Sequence, residues 1–279
     1  MRRRWWPGGS RALPREMVIE DVWRRHFERR AEWAIGDAQR SAWSADGLAA
    51  RLATFERLLP GLASGAGAAV LDLGCGAATY TALLIGKGHA VTAADYSFPM
   101  VQRARAAHPR ARFAAADGHH APFKTASFDL VLCIGILQYS ATPAALIGEA
   151  ARLVKPGGVL LVETLNPVHF VVPAIRVLEL LKRRARSLRH SVAEVERCLE
   201  AAGIEPRDRV AIHVLPRPDG YAASAVRVMT QALRRVPPRR RSDPRLPRSE
   251  QSRSQRRCRR PNARRARRGN RTTDDRHGH

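Results

Sequence analysis

The period of the apolar positions changes near residue 69. Before it, Leu48, Leu52, Phe55, Leu58 and Leu59 recur at helical spacing behind Asp46, a candidate cap. The pattern predicts a helix over 46–59, broken by Pro60 and Gly61, and another helical stretch opening at Met17. From residue 69 onward short, near-continuous apolar runs take over. Ala69–Leu73, Ala90–Ala94, Ala111–Ala116, Phe128–Ile134 and Gly158–Leu165 read as strands. Helical stretches separate them at about Thr79–Gly86, Ser97–Ala107 and Pro143–Val154. Strands that are apolar on both faces and alternate with helices predict an α/β fold with a doubly wound, mostly parallel sheet. Beyond it, Ser191–Ala202 reads as a helix closed by Gly203, Arg209–Leu215 as a strand and Tyr221–Leu233 as a helix.

The two ends lack such patterns. Residues 1–16 are rich in Arg, Pro and Gly, which predicts a disordered leader and makes Met17 an alternative start to Met1. After Pro237 apolar residues stand alone (Leu246, Cys258, Ala263, Ala266), too few to offset the entropy of ordering the chain, so 237–279 is expected to be a disordered Arg-rich tail. The expected organisation is therefore leader 1–16, helical cap 17–68, α/β domain 69–236 with an insertion at 166–190, and tail 237–279.

Charge sharpens this division. The 279 residues carry 49 Lys+Arg against 25 Asp+Glu, a formal +24. Eighteen arginines and four acids after Leu233 hold +14 of it. Only four basic residues are lysines, and Arg, Ala, Gly and Pro share GC-rich codons, so coding bias contributes to the excess. Cys75, Cys133, Cys198 and Cys258 lie far apart without metal-ligand spacing, so neither a disulfide framework nor a metal site is expected and a reducing, cytoplasmic setting is. No run reaches the roughly 20 apolar residues of a membrane span.

Candidate chemistry starts at Val70-Leu71-Asp72-Leu73-Gly74-Cys75-Gly76-Ala77-Ala78-Thr79. A strand ends in a carboxylate, and two glycines then let the backbone turn tightly toward a ligand before a helix begins. Alone this is a common nucleotide-site pattern. Asp95 closes the second strand, where a carboxylate can accept from both ribose hydroxyls. Asp117-Gly118 closes the third, where a carboxylate can meet an adenine amino group. Phe128–Gly135 forms the fourth strand, and Leu153-Val154-Lys155-Pro156-Gly157-Gly158 turns into the fifth.

From Val70 to Val214 this ordered set resembles the class I S-adenosylmethionine-dependent methyltransferases, particularly the small-molecule family that includes the quinone-biosynthesis enzymes. The resemblance implies a Rossmann-like fold and S-adenosylmethionine as cofactor. It implies that Asp72, Gly74, Cys75 and Gly76 line the methionine end, with Asp72 near the amino group. By the same resemblance Asp95 holds the ribose, Tyr96 and Met100 pack by the adenine, and Asp117, Gly118 and His119 meet its edge. Cys133 and Ile134 would contact the methionine portion through their backbone. Ala78 departs from the usual glycine, and a negative φ is expected to let its methyl fit.

The sulfonium methyl is already electrophilic, so the protein chiefly aligns an acceptor and excludes water. Tyr139 and His169 are the candidates for a general base, with structural or substrate-lining roles set against them. His119-His120 reads as a loop pair, and Glu163 as a strand-end contact as much as a methyl-site group. The insertion Asn166–His190 pairs an apolar row (Val171, Ile175, Leu178) with Lys182, Arg183, Arg184, Arg186 and Arg189. It reads as a lid over a small, apolar acceptor, or as a basic amphipathic helix at a membrane surface through 168–190.

The tail has three readings: a nucleic-acid arm, which lacks aromatic residues for base stacking; a plain extension; or an altered reading frame that replaces a last antiparallel strand usual in such methyltransferases. Two alternatives to small-molecule methylation follow. One is an RNA-directed methyltransferase using the tail, weakened by Gly135-Ile136-Leu137-Gln138 where amino methylation of bases needs an Asn/Asp-Pro-Pro signature. The other is a nicotinamide-dependent oxidoreductase, weakened by Ala78 and Thr79 breaking GxGxxG.

Overall fold

The structure is a computed structural model and describes residues 19–34, 36–41, 43–63, 66–165, 187–214 and 225–234. The leader, most of the insertion and the tail after Arg234 fall outside them, and with them the expected disorder of the two ends, the lid or membrane helix of 166–190 and His169.

Three helices come first: α1 (Ile19–Trp33), α2 (Asp37–Arg40) and α3 (Ala45–Leu62). Ser44, not Asp46, caps α3, its Oγ accepting from the Gly47 N–H at 3.1 Å. Pro60 does not end this helix. Leu59 and Leu62 are both buried, and the Ala63 N–H still reaches the Leu59 carbonyl at 3.0 Å, so packing outweighs the bond that proline removes.

The alternating region follows as β1 (Ala69–Leu73), α4 (Thr79–Gly86), β2 (Ala90–Asp95), α5 (Phe98–Ala107), β3 (Arg112–Ala115) and β4 (Phe128–Cys133). A single 3-10 turn at Leu137–Tyr139 leads to α6 (Pro143–Leu153) and β5 (Val154–Leu165), then α7 (Val192–Ala201), β6 (Ile204–Val214) and β7 (Ala225–Arg234). The seven strands are ordered β3-β2-β1-β4-β5-β7-β6. The first five run parallel, and β7 is antiparallel to both β5 and β6. Side chains alternate across this sheet. Leu71, Leu73, Val131, Cys133, Leu160 and Val162 pack under α6 and α7, while Val70, Leu130, Leu132 and Leu161 pack under α3 and α4 with Phe55, Tyr80 and Leu84. Every central strand is therefore buried on both faces, as its unbroken apolar run requires.

Two expectations fail at the carboxyl-terminal end. Within the stretch Tyr221–Leu233 expected as a helix, the described residues form a strand instead: Ala225–Arg234 is seated between β5 and β6. Its composition (Ala, Met, Gln, Leu, Arg) favours helix, yet Val226, Val228, Thr230 and Ala232 also alternate at period two. Pairing on both sides, with Val162 opposite Thr230 and Met229 opposite Val210, overrides local propensity, and Thr230 and Ala232 are buried. No antiparallel strand is lacking, so the tail does not replace one, and the inference of an altered reading frame loses its premise.

One ion pair links the helical cap to the sheet. Arg51 of α3 donates to Glu163 of β5 at 2.8 Å, with side chains only 3% and 0% exposed. The guanidinium also lies 4.0 Å from the centre of the Trp43 ring. Burial pushes the Glu163 carboxyl upward, and Arg51 opposes that shift. Removing one partner strands a buried charge. We expect Arg51→Met to lower unfolding free energy by about 3–5 kcal/mol and Arg51→Met/Glu163→Met to recover most of it, measured by urea denaturation.

Candidate active site

The site forms where β1, β2, β3 and β4 end at the same edge of the sheet, as in open α/β folds. After Leu73 the chain reverses through Gly74, Cys75 and Gly76. The Gly74 and Cys75 N–H groups both donate to the Ala94 carbonyl, at 2.8 and 3.0 Å. Gly74 has φ +80, and a Cβ there would lie 2.0 Å from Ile136 Cγ2, so only glycine fits. Gly76, at φ +49, faces open space: a Cβ there would meet nothing within 4 Å. Bare backbone beside an open cavity is what close approach of a ligand requires.

Asp95 organises this loop. One oxygen accepts from the Gly76 N–H at 2.8 Å, the other from the Ser97 N–H at 2.8 Å. Burial raises its carboxyl, and these two bonds pull it back. Ser97 in turn caps α5, its Oγ accepting from the Met100 N–H. Ala78 departs from expectation. It adopts φ +62, ψ 28, the left-handed region, at about 1–2 kcal/mol of strain. Its N–H donates to the Cys75 carbonyl at 2.7 Å, and this tight turn aims the start of α4 back at the loop.

Around the loop lies a cavity lined by Gly74, Cys75, Gly76, Asp95, Tyr96, Met100, Asp117, Gly118, His119 and Ile134. These are ten of the residues that the resemblance implies for the cofactor. The other two, Asp72 and Cys133, are not on its wall. Asp72 sits beneath α4, where it accepts from the Thr81 hydroxyl at 2.6 Å and from the Thr81 backbone N–H, acting as the cap that Ala78 cannot supply. Cys133 points into the core under α6, and burial pushes its thiol up to about 12. Cys75 does face the cavity, but burial and the nearby Asp95 and Asp72 charges hold it as a thiol.

At the third strand's end, the Asp117 Oδ1 accepts from the His119 N–H and pairs with His119 Nδ1, both at 2.9 Å, and His119 Nε2 meets Ser140 Oγ at 2.8 Å. Burial works to raise Asp117, yet these contacts bring it below the ordinary carboxylate value. His120 points to solvent. Arg152 clamps the loop that follows, donating to the carbonyls of Phe123 and Ala121 and to Glu149, which itself accepts from the Ala121 N–H.

The remaining wall comes from residues that the sequence pattern did not single out. Trp23 and Phe27 of α1 lie 4.5 and 5.1 Å from Tyr139, ring centre to ring centre, and Trp43, Arg40 and Tyr80 join them around the cavity. Arg24 lies over Tyr96 at 5.0 Å. Tyr139 is half-buried in this aromatic wall, and desolvation pushes its phenol up to about 12, so it keeps its proton at neutral pH. Glu163 stays in its pair with Arg51 and is not on the wall. Among the described residues no cluster of His, Cys, Asp or Glu could hold a metal, and no helix is long and apolar enough to cross a membrane.

Asp72 makes stability depend on pH. Burial lifts its carboxyl from 3.8 to about 6, so the folded chain binds this proton more tightly than the unfolded chain. The stability it contributes is present below the unfolded value and is lost as pH rises through about 6. Asp72→Asn keeps an acceptor for Thr81 and removes the titration. We expect the variant to gain on the wild type between pH 4 and 7 by about 3 kcal/mol in urea unfolding; a constant difference would refute the shift.

Comparison with known proteins agrees with this geometry. Residues 71–162 match the family described as methyltransferase domain. A ubiquinone biosynthesis O-methyltransferase of Thiobacillus denitrificans is 30% identical over 173 residues, covering 57% of this chain and 74% of that protein. A probable S-adenosylmethionine-dependent methyltransferase of Mycolicibacterium smegmatis is 30% identical over 177 residues, covering 57% and 67%. Other relatives match over less of their length: the chain spans 54% of a ubiquinone biosynthesis O-methyltransferase of Xanthomonas oryzae, at 38% identity over 42% of this chain. It spans only 20% of a bifunctional biotin biosynthesis protein of Cellvibrio japonicus.

Among solved structures, magnesium protoporphyrin IX methyltransferase from Synechocystis PCC 6803, with bound S-adenosylhomocysteine, superposes with a TM-score of 0.58 at 17% identity, covering 77% of this chain and 99% of that one. The Burkholderia thailandensis 1,6-didemethyltoxoflavin-N1-methyltransferase does so with 0.56 at 22%, covering 82% and 94%. These likenesses establish the fold. With the glycine loop, the Asp95 and Asp117 strand ends and these relatives in place, the chain belongs to the class I S-adenosylmethionine-dependent methyltransferases, and S-adenosylmethionine is its cofactor.

Proposed function

We propose that the chain moves a methyl group from S-adenosylmethionine to a small, apolar acceptor by in-line displacement. The aromatic wall carries this reading. Backbone loops and the carboxylates Asp95 and Asp117 line one part of the cavity, while Trp23, Phe27, Trp43 and Tyr139 add apolar ring surface to it. The relatives named ubiquinone biosynthesis O-methyltransferases support a small-molecule acceptor.

When bound, the cofactor supplies an electrophilic methyl on its sulfonium sulfur. The chain's task is placement. Asp95 anchors the glycine loop and offers its remaining lone pairs to ribose hydroxyls. Asp117, with one oxygen fixed by His119, presents its carboxylate at the adenine end. Helix α1 covers this edge, with Glu20 Oε1 accepting from the Ala141 N–H at 2.8 Å and Arg103 donating to the Glu32 carbonyl at 3.1 Å. That cover excludes water and holds Trp23 and Phe27 against an acceptor. Tyr139, protonated, serves as wall and hydrogen-bond donor, not as base.

Family membership displaces the nicotinamide alternative. The RNA-directed alternative depends on a tail outside the described residues.

Two measurements test the reading. Calorimetric titration with S-adenosylhomocysteine should show binding to the wild type. Asp95→Asn should weaken that binding at least tenfold without loss of helical circular dichroism, because an amide cannot accept both the Gly76 and Ser97 N–H groups and still receive a ribose hydroxyl. A wild type that binds no S-adenosylhomocysteine would sink the methyltransferase activity. Release of S-adenosylhomocysteine with a panel of hydroxylated apolar compounds then identifies the acceptor.

A further inference from the structure

Trp43 reaches the cavity from the short segment between α2 and α3, and its indole is framed on a face and on an edge. The Arg51 guanidinium lies 4.0 Å from the ring centre on the face. At the benzo edge Gly135 makes room, for a Cβ there would come within 2.7 Å of Trp43 Cζ2. Gly135 has φ +73, a backbone open to glycine, and lies on the cavity wall with Trp43. Tyr80 stands edge-on to the indole at 6.3 Å.

One buried carboxylate holds this frame together. Glu163 accepts from Arg51 Nε at 2.8 Å and also from the Gly135 N–H, so β5 fixes both the cation behind the indole and the backbone beneath its edge. An ion pair alone would hold a helix on a sheet with no ring beside it. Here the cation is a planar guanidinium, which stacks on an aromatic face as an ammonium does not. Arg51 and Gly135, from unrelated elements, are thus fitted to the same ring, one by its flat group and the other by having no side chain. A ring held in this way keeps its position when a ligand meets it, and such preorganisation is what selection by shape requires.

We propose that Trp43 is a specificity-determining residue for the acceptor, and that Arg51 and Glu163 are positioning residues that act through it by holding the indole's other face toward the cavity as a platform for a flat ring. The proposal rests on reading the aromatic wall as the acceptor side of a methyltransferase cavity. A planar ring meets that face with all its atoms, whereas a puckered ring of the same size touches it at a few. The platform selects acceptors by flatness, and the buried pair behind it sets how sharply.

The test is calorimetric titration of protein saturated with S-adenosylhomocysteine, using 2-naphthol and decahydro-2-naphthol, which keeps the hydroxyl and both rings but not their planarity. We expect the wild type to bind the flat probe about fivefold or more tighter. Trp43→Leu should lose that preference and keep its affinity for S-adenosylhomocysteine within about twofold. Arg51→Lys keeps the charge pair without the planar stack, and Arg51→Met/Glu163→Met removes both charges together. In both variants the preference should fall to about twofold or less, while urea unfolding of the double variant returns toward that of the wild type. A double variant that regains stability and preference together gives the pair a purely structural role and overturns the proposal. So does a wild type that binds the two probes equally or binds neither. Equal weakening of S-adenosylhomocysteine and 2-naphthol by Trp43→Leu also overturns it, because the indole then serves the cofactor. A wild type that binds no S-adenosylhomocysteine refutes the methyltransferase reading instead, and the preference measured on the free protein still decides the platform.

Discussion

Two neighbouring amides, of Gly74 and Cys75, share the Ala94 carbonyl at the end of β2, and a third, of Gly76, reaches the Asp95 carboxylate beside it. This reversal of the chain, clamped from β2 on one side and packed on Ile136 after β4 on the other, is the constraint that the site depends on. It requires glycine at 74 because no Cβ fits against Ile136. It also sets the direction in which α4 leaves, and so where Tyr80 and the helix's positive end meet the cavity. The loop leaves its own backbone bare on the side that faces the cavity.

The carboxylates nearest this loop divide the work by environment. Asp72 is buried below it and caps α4 through Thr81; Asp95, between loop and cavity, fixes backbone on one side and lines the cavity on the other. On different strands, two similar side chains thus stand one below the loop and one at the cavity. Asp117 adds the outer edge, held by His119 and, through the adjoining loop, by the Arg152–Glu149 clamp. The helical cap is tied in by a different device. Arg51 and Glu163 exchange solvation for a close ion pair, an arrangement that specifies one docking of α3 on β5 because any other leaves two charges buried alone.

The central fold was legible in the chain. Unbroken apolar runs at β1, β2, β4 and β5 state burial on both faces, and the carboxylates and glycines at their ends mark the ligand edge, because strand ends and tight turns demand those residue types locally. Ser191 and Gly203 likewise bracket α7 by capping chemistry that needs no distant partner. Beyond such local rules the reading weakens. β7 carries helix-forming residues and becomes a strand only because β5 and β6 offer it hydrogen bonds on both edges. Ala78 takes a positive φ that its side chain disfavours, held there by the turn around it.

By itself, then, the sequence determined the parallel α/β core, the glycine loop and the acidic strand ends, since period, capping and turn geometry act over a few residues. Only the tertiary structure decided which side chains face the cavity. Asp72 and Cys133 sit one layer below it, while Trp23, Phe27, Arg40, Trp43 and Tyr80 reach it from elements far apart in the chain. Their convergence follows from how α1, α2 and α4 dock on the sheet, and docking is set by long-range packing and by pairs such as Arg51 and Glu163, 112 residues apart. No local pattern encodes a distance of that kind.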